Sequence, residues 1–128
     1  MNTTERLVRE GYEAMAKGDG SVLASLITPS TEWIIHGEGE LAGTYTGHEE
    51  IFDFWRLVAQ KTGGGLALEL RDVLANDQRA VALVTVRGSR EDRTLDERQI
   101  VVFEFDGDKV RSASFVYERP EVYDAFWA

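Results

Sequence analysis

The sequence predicts an α+β domain in which a strongly curved antiparallel sheet wraps around three helices from the N-terminal half. Two short helical patterns open the chain, and a third, amphipathic one follows a strand and a glycine-rich loop between Thr31 and Trp55. From Leu66 onwards, residues of strand type dominate. Helices and antiparallel strands that are segregated along a chain are typical of this class. With 128 residues, the chain is expected to form a single domain, 1–128.

Composition excludes several classes of function. The formal net charge of −9 opposes a phosphate backbone, so nucleic acid is not an expected partner. The absence of cysteine excludes disulfides and thiolate zinc sites. The polar start MNTTERLVREG is unlike a secretory signal, and no apolar run approaches the ~18 residues of a membrane span. We therefore expect a cytoplasmic protein with no membrane partner.

Capping and breaker residues delimit the helices. Asn2 and Glu5 form a capping box before the first helix, which ends at Gly18. Asp19 or Ser21 caps a short second helix, and Thr46 with Glu49 caps the third. The apolar stripe of the first helix is Val8, Tyr12 and Met15, and that of the third is Ile51, Trp55 and Val58. The third helix ends at the glycines 63–65, and Pro120 opens a last short helix.

Apolar and polar residues alternate along the predicted strands. Residues 31–36 form the first strand, and Leu66, Leu68 and Leu70 mark the second. The segment from Arg79 to Arg87 is apolar on both faces in its middle, which indicates a central strand. A charged loop over 89–93 separates it from a hairpin of strands 94–105 and 109–118, which turns at 106–108.

Several local strings resemble the SnoaL-like branch of the nuclear transport factor 2-like superfamily. They are YEAMAKGD from Tyr12, WIIHG from Trp33, LAGTYTG from Leu41 and DAFW from Asp124. The superfamily includes ketosteroid isomerases, polyketide cyclases, limonene epoxide hydrolase and dehydratases. The resemblance implies a cone-shaped, cystatin-like α+β roll around a pocket, and a homodimer packed through the outer face of the sheet.

The best-known catalytic sets of this superfamily are absent. In a ketosteroid isomerase the base is a carboxylate, and the corresponding position here is Ile34. The position of its catalytic aspartic acid corresponds to the region of Val101. The position of its catalytic tyrosine corresponds to the region of Gly11, one residue from Tyr12. The positions of the Arg–Asp pair of limonene epoxide hydrolase correspond to the region of Thr85, Arg87 and Phe115, so this pair is absent. A dehydrochlorinase-type His–Asp dyad needs a histidine just after the third helix, and the sequence has none there. The resemblance therefore implies a scaffold without its usual chemistry.

The remaining polar residues suggest an alternative catalytic set. Alternation places Glu32, Ile34 and His36 on one face of the first strand, and the resemblance implies that this face looks into the pocket. Histidine titrates near neutral pH and suits general acid or base catalysis. Arg87, or Tyr117 together with Gln99, would stabilise a developing oxyanion. The structural alternatives are a histidine that only shapes the pocket, and an Arg87 paired with Glu97 or Asp96.

Substrate contacts are expected from inward-facing residues of the helices and strands. The resemblance implies that Leu83, Thr85 and Arg87 face inward. It implies the same for alternate residues of the last two strands, which are Glu97, Gln99, Val101 and Phe103 on one and Ala113, Phe115 and Tyr117 on the other. The candidate binding residues are Tyr12, Trp55, Thr85, Gln99, Val101 and Phe115. No metal site is expected, because His36 and His48 have no ligand spacing.

Two functions follow, and both stay open at this point. One is cofactor-free proton-transfer chemistry of the isomerase, cyclase or dehydratase type on a small apolar, oxygenated substrate. The other is a non-catalytic ligand-binding or dimerisation domain. The apolar pairs Ile100 with Val102 and Val84 with Val86 are expected on the outer face of the sheet, where an exposed apolar patch favours a homodimer.

Overall fold

Four helices and six strands make up the computed structural model, which describes residues 1–128. The helices are α1 (Thr3–Ala16), α2 (Ser21–Leu26), α3 (Gly47–Thr62) and α4 (Pro120–Trp127). The strands are β1 (Glu32–Ile35), β2 (Gly43–Thr46), β3 (Ala67–Ala75), β4 (Arg79–Arg90), β5 (Arg93–Asp106) and β6 (Lys109–Tyr117). The predicted α+β class, with three helices from the N-terminal half against one curved sheet, is confirmed.

All six strands form one sheet in the order β2-β1-β6-β5-β4-β3. Four of the pairings are antiparallel, whereas β1 runs parallel to β6. The register shifts between Leu70 and Asp72 in β3 and between Glu104 and Phe105 in β5. Such irregularities bend a strand and increase its twist, which helps the sheet curl around the helices.

The predicted helix ends are largely confirmed. The Asn2 side chain accepts a hydrogen bond from the backbone N–H of Glu5 at 2.9 Å, and Gly18 follows α1 with φ of 74°. Gly63 ends α3 in the left-handed conformation. The Thr46–Glu49 capping box is wrong, because the Glu50 carboxylate accepts the Thr46 N–H at 3.0 Å instead. One helical turn brings the residue at position 50, rather than 49, back over the helix start.

The face predicted for β4 is wrong. Ala80, Ala82, Val84 and Val86 are buried on the inner face, so Leu83, Thr85 and Arg87 lie on the outer one. Cross-strand pairing explains the reversal, because Val84 lies directly opposite Gln99 and Ala82 opposite Val101. Directly paired residues point to the same side of a sheet. The inward faces predicted for β5 and β6 are confirmed.

Strand β2 is an element that the sequence did not predict. It is four residues long, carries Gly43 and two threonines, and lies at one edge of the sheet against β1. Among the helices, none is both long enough and apolar enough to cross a lipid bilayer. The cytoplasmic location stays a prediction from the sequence.

Candidate functional site

An apolar cavity lies between the inner face of the sheet and helices α1 and α2. Its volume is about 50 Å³, and 13 of its 14 lining residues are hydrophobic. We call it the front chamber. It is lined by Leu7, Val8, Gly11, Tyr12, Met15, Leu23, Leu26, Trp33, Trp55, Leu68, Phe103, Phe105, Val110 and Phe115. A mostly apolar cavity with a few polar groups is the usual form of a small-molecule site.

A smaller cavity of about 20 Å³ continues toward α4. We call it the rear chamber. Its polar lining groups are Gln99, Tyr117 and Tyr123, and Trp55, Leu68 and Phe115 border both chambers. A groove of about 480 Å³ leads from the ends of α1 and α3 toward the front chamber, with Tyr12, Met15, Trp55 and Leu68 as shared lining.

Two tryptophans that line the chambers carry buried hydrogen-bond donors without partners. The indole Nε1 atoms of Trp33 and Trp55 have no hydrogen-bond partner in the protein, and the same holds for Trp127, which borders neither chamber. Leaving a buried polar group unpaired costs ~1–3 kcal/mol, so such groups require an explanation. An acceptor atom of a bound molecule would satisfy them.

Burial also fixes the protonation state of the tyrosines. It raises the pKa of Tyr12 and of Tyr117 above the ordinary value of 10.0, and the neighbouring Tyr123 adds to the effect at Tyr117. Both phenols therefore keep their protons at neutral pH and can act as hydrogen-bond donors.

The inward orientation predicted for His36 is wrong. Trp33 and Ile35, each 3% exposed, occupy the inner side of β1, so His36 lies exposed on the outer side. Its ring Nε2 forms a hydrogen bond of 2.8 Å with the Ser114 hydroxyl on β6. The larger apolar side chains of β1 enter the core because burying an indole removes more apolar surface from water than burying an imidazole.

Arg87 is also on the outer face, where its guanidinium pairs with Glu69 at 2.9 Å and with Asp96 at 3.5 Å. The Asp96 pair is the structural alternative that the sequence had suggested. Thr85 is buried on this same outer side, beside Leu83 and Arg98. Neither residue reaches the chambers, because β4 has the opposite face from the one predicted.

The other predicted site residues divide into two groups. Tyr12, Trp55 and Phe115 line the front chamber, while Gln99 and Tyr117 line the rear one. Val101 is fully buried in the core and borders neither chamber. Sequence reasoning missed Trp33 and Tyr123. The signal for Trp33 was its size, since a tryptophan on a half-buried strand seldom faces water.

No free carboxylate serves the chambers as a base. Glu97 is the only charged residue among the buried ones, at 3% exposure, and it lines neither chamber. The guanidinium of Arg119 binds it, with Nε and Oε1 3.2 Å apart, and this carboxylate raises the pKa of Arg119. Arg119 therefore neutralises the buried carboxylate of Glu97, and neither chamber has a carboxylate that could accept a proton.

The curved six-stranded sheet with helices packed against it defines an α+β fold, and comparison with known proteins gives the family. The chain belongs to the SnoaL-like domain family, whose model matches residues 8–113. Solved structures that share the fold are described as a putative SnoaL-like polyketide cyclase from Jannaschia and as a hypothetical protein with a ketosteroid isomerase-like fold from Catenulispora acidiphila.

Relatives agree with this assignment. The uncharacterized protein Rv0034 of Mycobacterium tuberculosis is 30% identical over 123 residues, which cover 95% of this chain and 94% of the relative. Bal32a from a soil-derived mobile gene cassette superposes with a TM-score of 0.93 at 28% identity, covering 98% of this chain and 97% of its own. A nuclear transport factor 2-like protein of unknown function from Burkholderia pseudomallei has a TM-score of 0.86 at 23% identity, with both chains fully covered.

Proposed function

We propose that this protein binds a small, largely apolar molecule that carries a hydrogen-bond acceptor oxygen, in the front chamber and the groove that leads to it. The observation that carries the proposal is Trp33, whose indole N–H is buried without a partner beside an apolar cavity. An indole N–H only donates, so its partner in a complex must be an acceptor. A carbonyl or ether oxygen on an apolar ligand meets both requirements.

A matched pair of probes tests this proposal. Acetophenone and ethylbenzene have similar size and shape, but only acetophenone carries a carbonyl oxygen. We expect acetophenone to bind about fivefold more tightly, because a neutral hydrogen bond contributes ~1 kcal/mol. Nuclear magnetic resonance of ¹⁵N-labelled protein gives the affinity, and the indole N–H signal of Trp33 should move downfield with acetophenone alone.

Two variants locate the effect. Trp33→Phe should remove the preference for acetophenone while ethylbenzene still binds. Trp127→Phe is the matched control, because Trp127 is a tryptophan that is only 1% exposed yet borders neither chamber. Equal affinities for the two probes in the unmodified protein, or no binding of either, would contradict the proposal.

Cofactor-free proton-transfer chemistry of the isomerase, cyclase or dehydratase type is the second candidate. The buried hydroxyl of Tyr117, with Gln99 opposite it on β5, favours this candidate, because such groups stabilise a developing enolate oxygen. The proton acceptor would have to be the ligand itself or a bound water. Exchange of the α-protons of 1-indanone in D₂O tests it: acceleration by the protein that Tyr117→Phe abolishes supports catalysis, and no acceleration leaves binding alone.

We also propose that the protein forms a homodimer through the outer face of the sheet. Ile100 and Val116 pair directly on this face and are 43% and 47% exposed, and Leu83 lies opposite Ile100 on β4. An apolar strip of this kind in the middle of a sheet is typical of a protein contact. Val84 and Val86, predicted to belong to this surface, are buried on the inner face instead.

A further inference from the structure

We propose that the ligand is uncharged, carries its acceptor oxygen next to one end, and binds with that end in the front chamber and its apolar body in the groove. This inference rests on the proposed function, and it assigns an orientation and a charge to the ligand of that same site. Its basis is the size of the two spaces, the position of the Trp33 donor and the absence of charged residues from the lining.

The front chamber accommodates only a small end of a ligand. Its volume is about 50 Å³, whereas the groove has about 480 Å³. A single water molecule needs ~10–15 Å³ of such space, so the chamber has room for a few non-hydrogen atoms. Sites for drug-sized ligands measure ~300–1,000 Å³, a range that the groove meets and the chamber does not. The body of the ligand therefore lies in the groove.

The Trp33 donor belongs to the chamber and does not line the groove. Four side chains line both spaces and form their common boundary: Tyr12, Met15, Trp55 and Leu68. An oxygen reaches the Trp33 indole N–H only when the end of the ligand that carries it lies beyond this boundary. Because the chamber holds few further atoms, the oxygen must be next to that end.

The lining also determines the charge of the ligand. No charged residue lines the chamber or the groove, and the groove lies against the last turns of α1 and α3 at residues 15–16 and 58–59. Lys61, in the last turn of α3, pairs with Glu40 instead. A helix C-terminus carries partial negative charge, so a carboxylate buried here would lack a counter-ion. An ammonium group would offer the Trp33 N–H no acceptor, which leaves a neutral group such as a methyl ketone.

Two isomeric ketones test the orientation. 2-Octanone and 4-octanone have the same composition, but only 2-octanone carries its oxygen next to the end of the chain. We expect 2-octanone to bind about fivefold more tightly, because 4-octanone would have to place a propyl group in the chamber to reach Trp33 and therefore loses one hydrogen bond. Trp33→Phe should abolish this preference. A preference that survives Trp33→Phe and is lost in Trp55→Phe would place the oxygen at the boundary and contradict the orientation.

Octanoate tests the charge. At neutral pH it should not move the Trp33 indole N–H signal of ¹⁵N-labelled protein, whereas 2-octanone should move it downfield. A downfield shift with octanoate as large as that with 2-octanone would contradict an uncharged ligand.

A matched pair of variants locates the body of the ligand. Ala59 is exposed and lines only the groove, while the neighbouring Gln60 is exposed and lines none of these spaces. Ala59→Phe should lower the affinity for 2-octanone at least fourfold, the value of one buried methylene group, because the added ring occupies the groove. Gln60→Phe should leave that affinity unchanged.

The outcomes separate the two proposals. If neither acetophenone nor 2-octanone binds, the proposed function itself fails. If acetophenone binds but the two octanones bind equally, or if Ala59→Phe and Gln60→Phe have the same effect, the proposed function stands and the oriented ligand is refuted.

Discussion

Tyr117 on β6 stacks on Tyr123 of α4, with ring centroids 3.7 Å apart and ring planes inclined by 15°. Tyr123 in turn meets Trp127 edge to face at 6.0 Å. This aromatic column joins the last helix to the sheet, and two of its rings, Tyr117 and Tyr123, line the rear chamber. Helix α4 therefore helps to form the rear chamber, although no residue of α4 belongs to the front chamber.

The first prediction concerns alkaline pH. Burial raises the pKa of all four tyrosines, Tyr12, Tyr45, Tyr117 and Tyr123, above 10.0. Above about pH 10 the unfolded chain loses phenolic protons that the folded chain retains, so the free energy of unfolding should decrease as the pH rises. Denaturant titrations at several alkaline pH values measure this decrease. Near-ultraviolet phenolate absorbance should show tyrosine ionisation near pH 10 only in denaturant; native-state ionisation there would contradict the prediction.

The second prediction concerns the start of α3. Gly47 has φ of 80°, and a Cβ at this position would lie 3.2 Å from the carbonyl oxygen of Pro29. Gly18 has a similar φ of 74° with open space around it. Gly18→Ala should cost ~1–2 kcal/mol from the left-handed conformation alone. Gly47→Ala should cost ~1–3 kcal/mol more because of the added contact. Thermal and urea unfolding measure the loss of stability in each variant. Equal losses would contradict the prediction, because they would mean that Pro29 moves away from the added Cβ at no cost.

The third prediction is that His36, on the outer face of the sheet, plays no part in ligand binding or catalysis. His36→Gln should leave the acetophenone affinity, and any α-proton exchange of 1-indanone, unchanged, because His36 is exposed and contacts Ser114 outside the chambers. The stability change should remain within ~0.5 kcal/mol, as at other surface sites. A tenfold loss of exchange activity would restore His36 as the proton-transfer residue.

The fourth prediction addresses assembly. Light scattering at micromolar concentration should give the mass of two chains. Ile100→Asp combined with Val116→Asp should convert the protein to monomers, because burying two carboxylates in an apolar contact is costly.

The control for assembly places the same type of charge elsewhere. Gln60→Asp changes an exposed position on α3 and should leave the dimer intact. A monomeric mass for the unmodified protein would refute the homodimer, and dissociation by the control would show that net charge rather than the apolar strip governs the mass.

Local signals in the sequence predicted most of the elements. Asn2, Gly18 and Gly63 act at helix ends through short-range geometry, so their roles are readable from neighbouring residues. Strand β2 was missed because a short edge strand that contains glycine has no alternation to detect. The parallel partner of β1 was also unpredictable, since pairing with β6 depends on residues far apart in the chain.

The lining of the two chambers was predicted in part for the same reason. Tyr12 and Trp55 were found because helical spacing identifies one buried face, and Gln99 and Tyr117 because the faces of β5 and β6 were assigned correctly. His36 and Arg87 were placed wrongly because alternation divides a strand into two faces without saying which one is inside. Cross-strand register, which the sequence does not carry locally, decides that question.

The parallel pairing of β1 with β6 has a consequence for biosynthesis. Glu32 lies beside Ser112, so β1 acquires its place in the sheet only after residue 112 has left the ribosome. Until then the backbone of Trp33 and Ile35 lacks its pairing with β6. Closing so long a loop costs chain entropy and slows folding. The growing polypeptide is therefore expected to complete its sheet, and with it the two chambers, only in the last stage of folding.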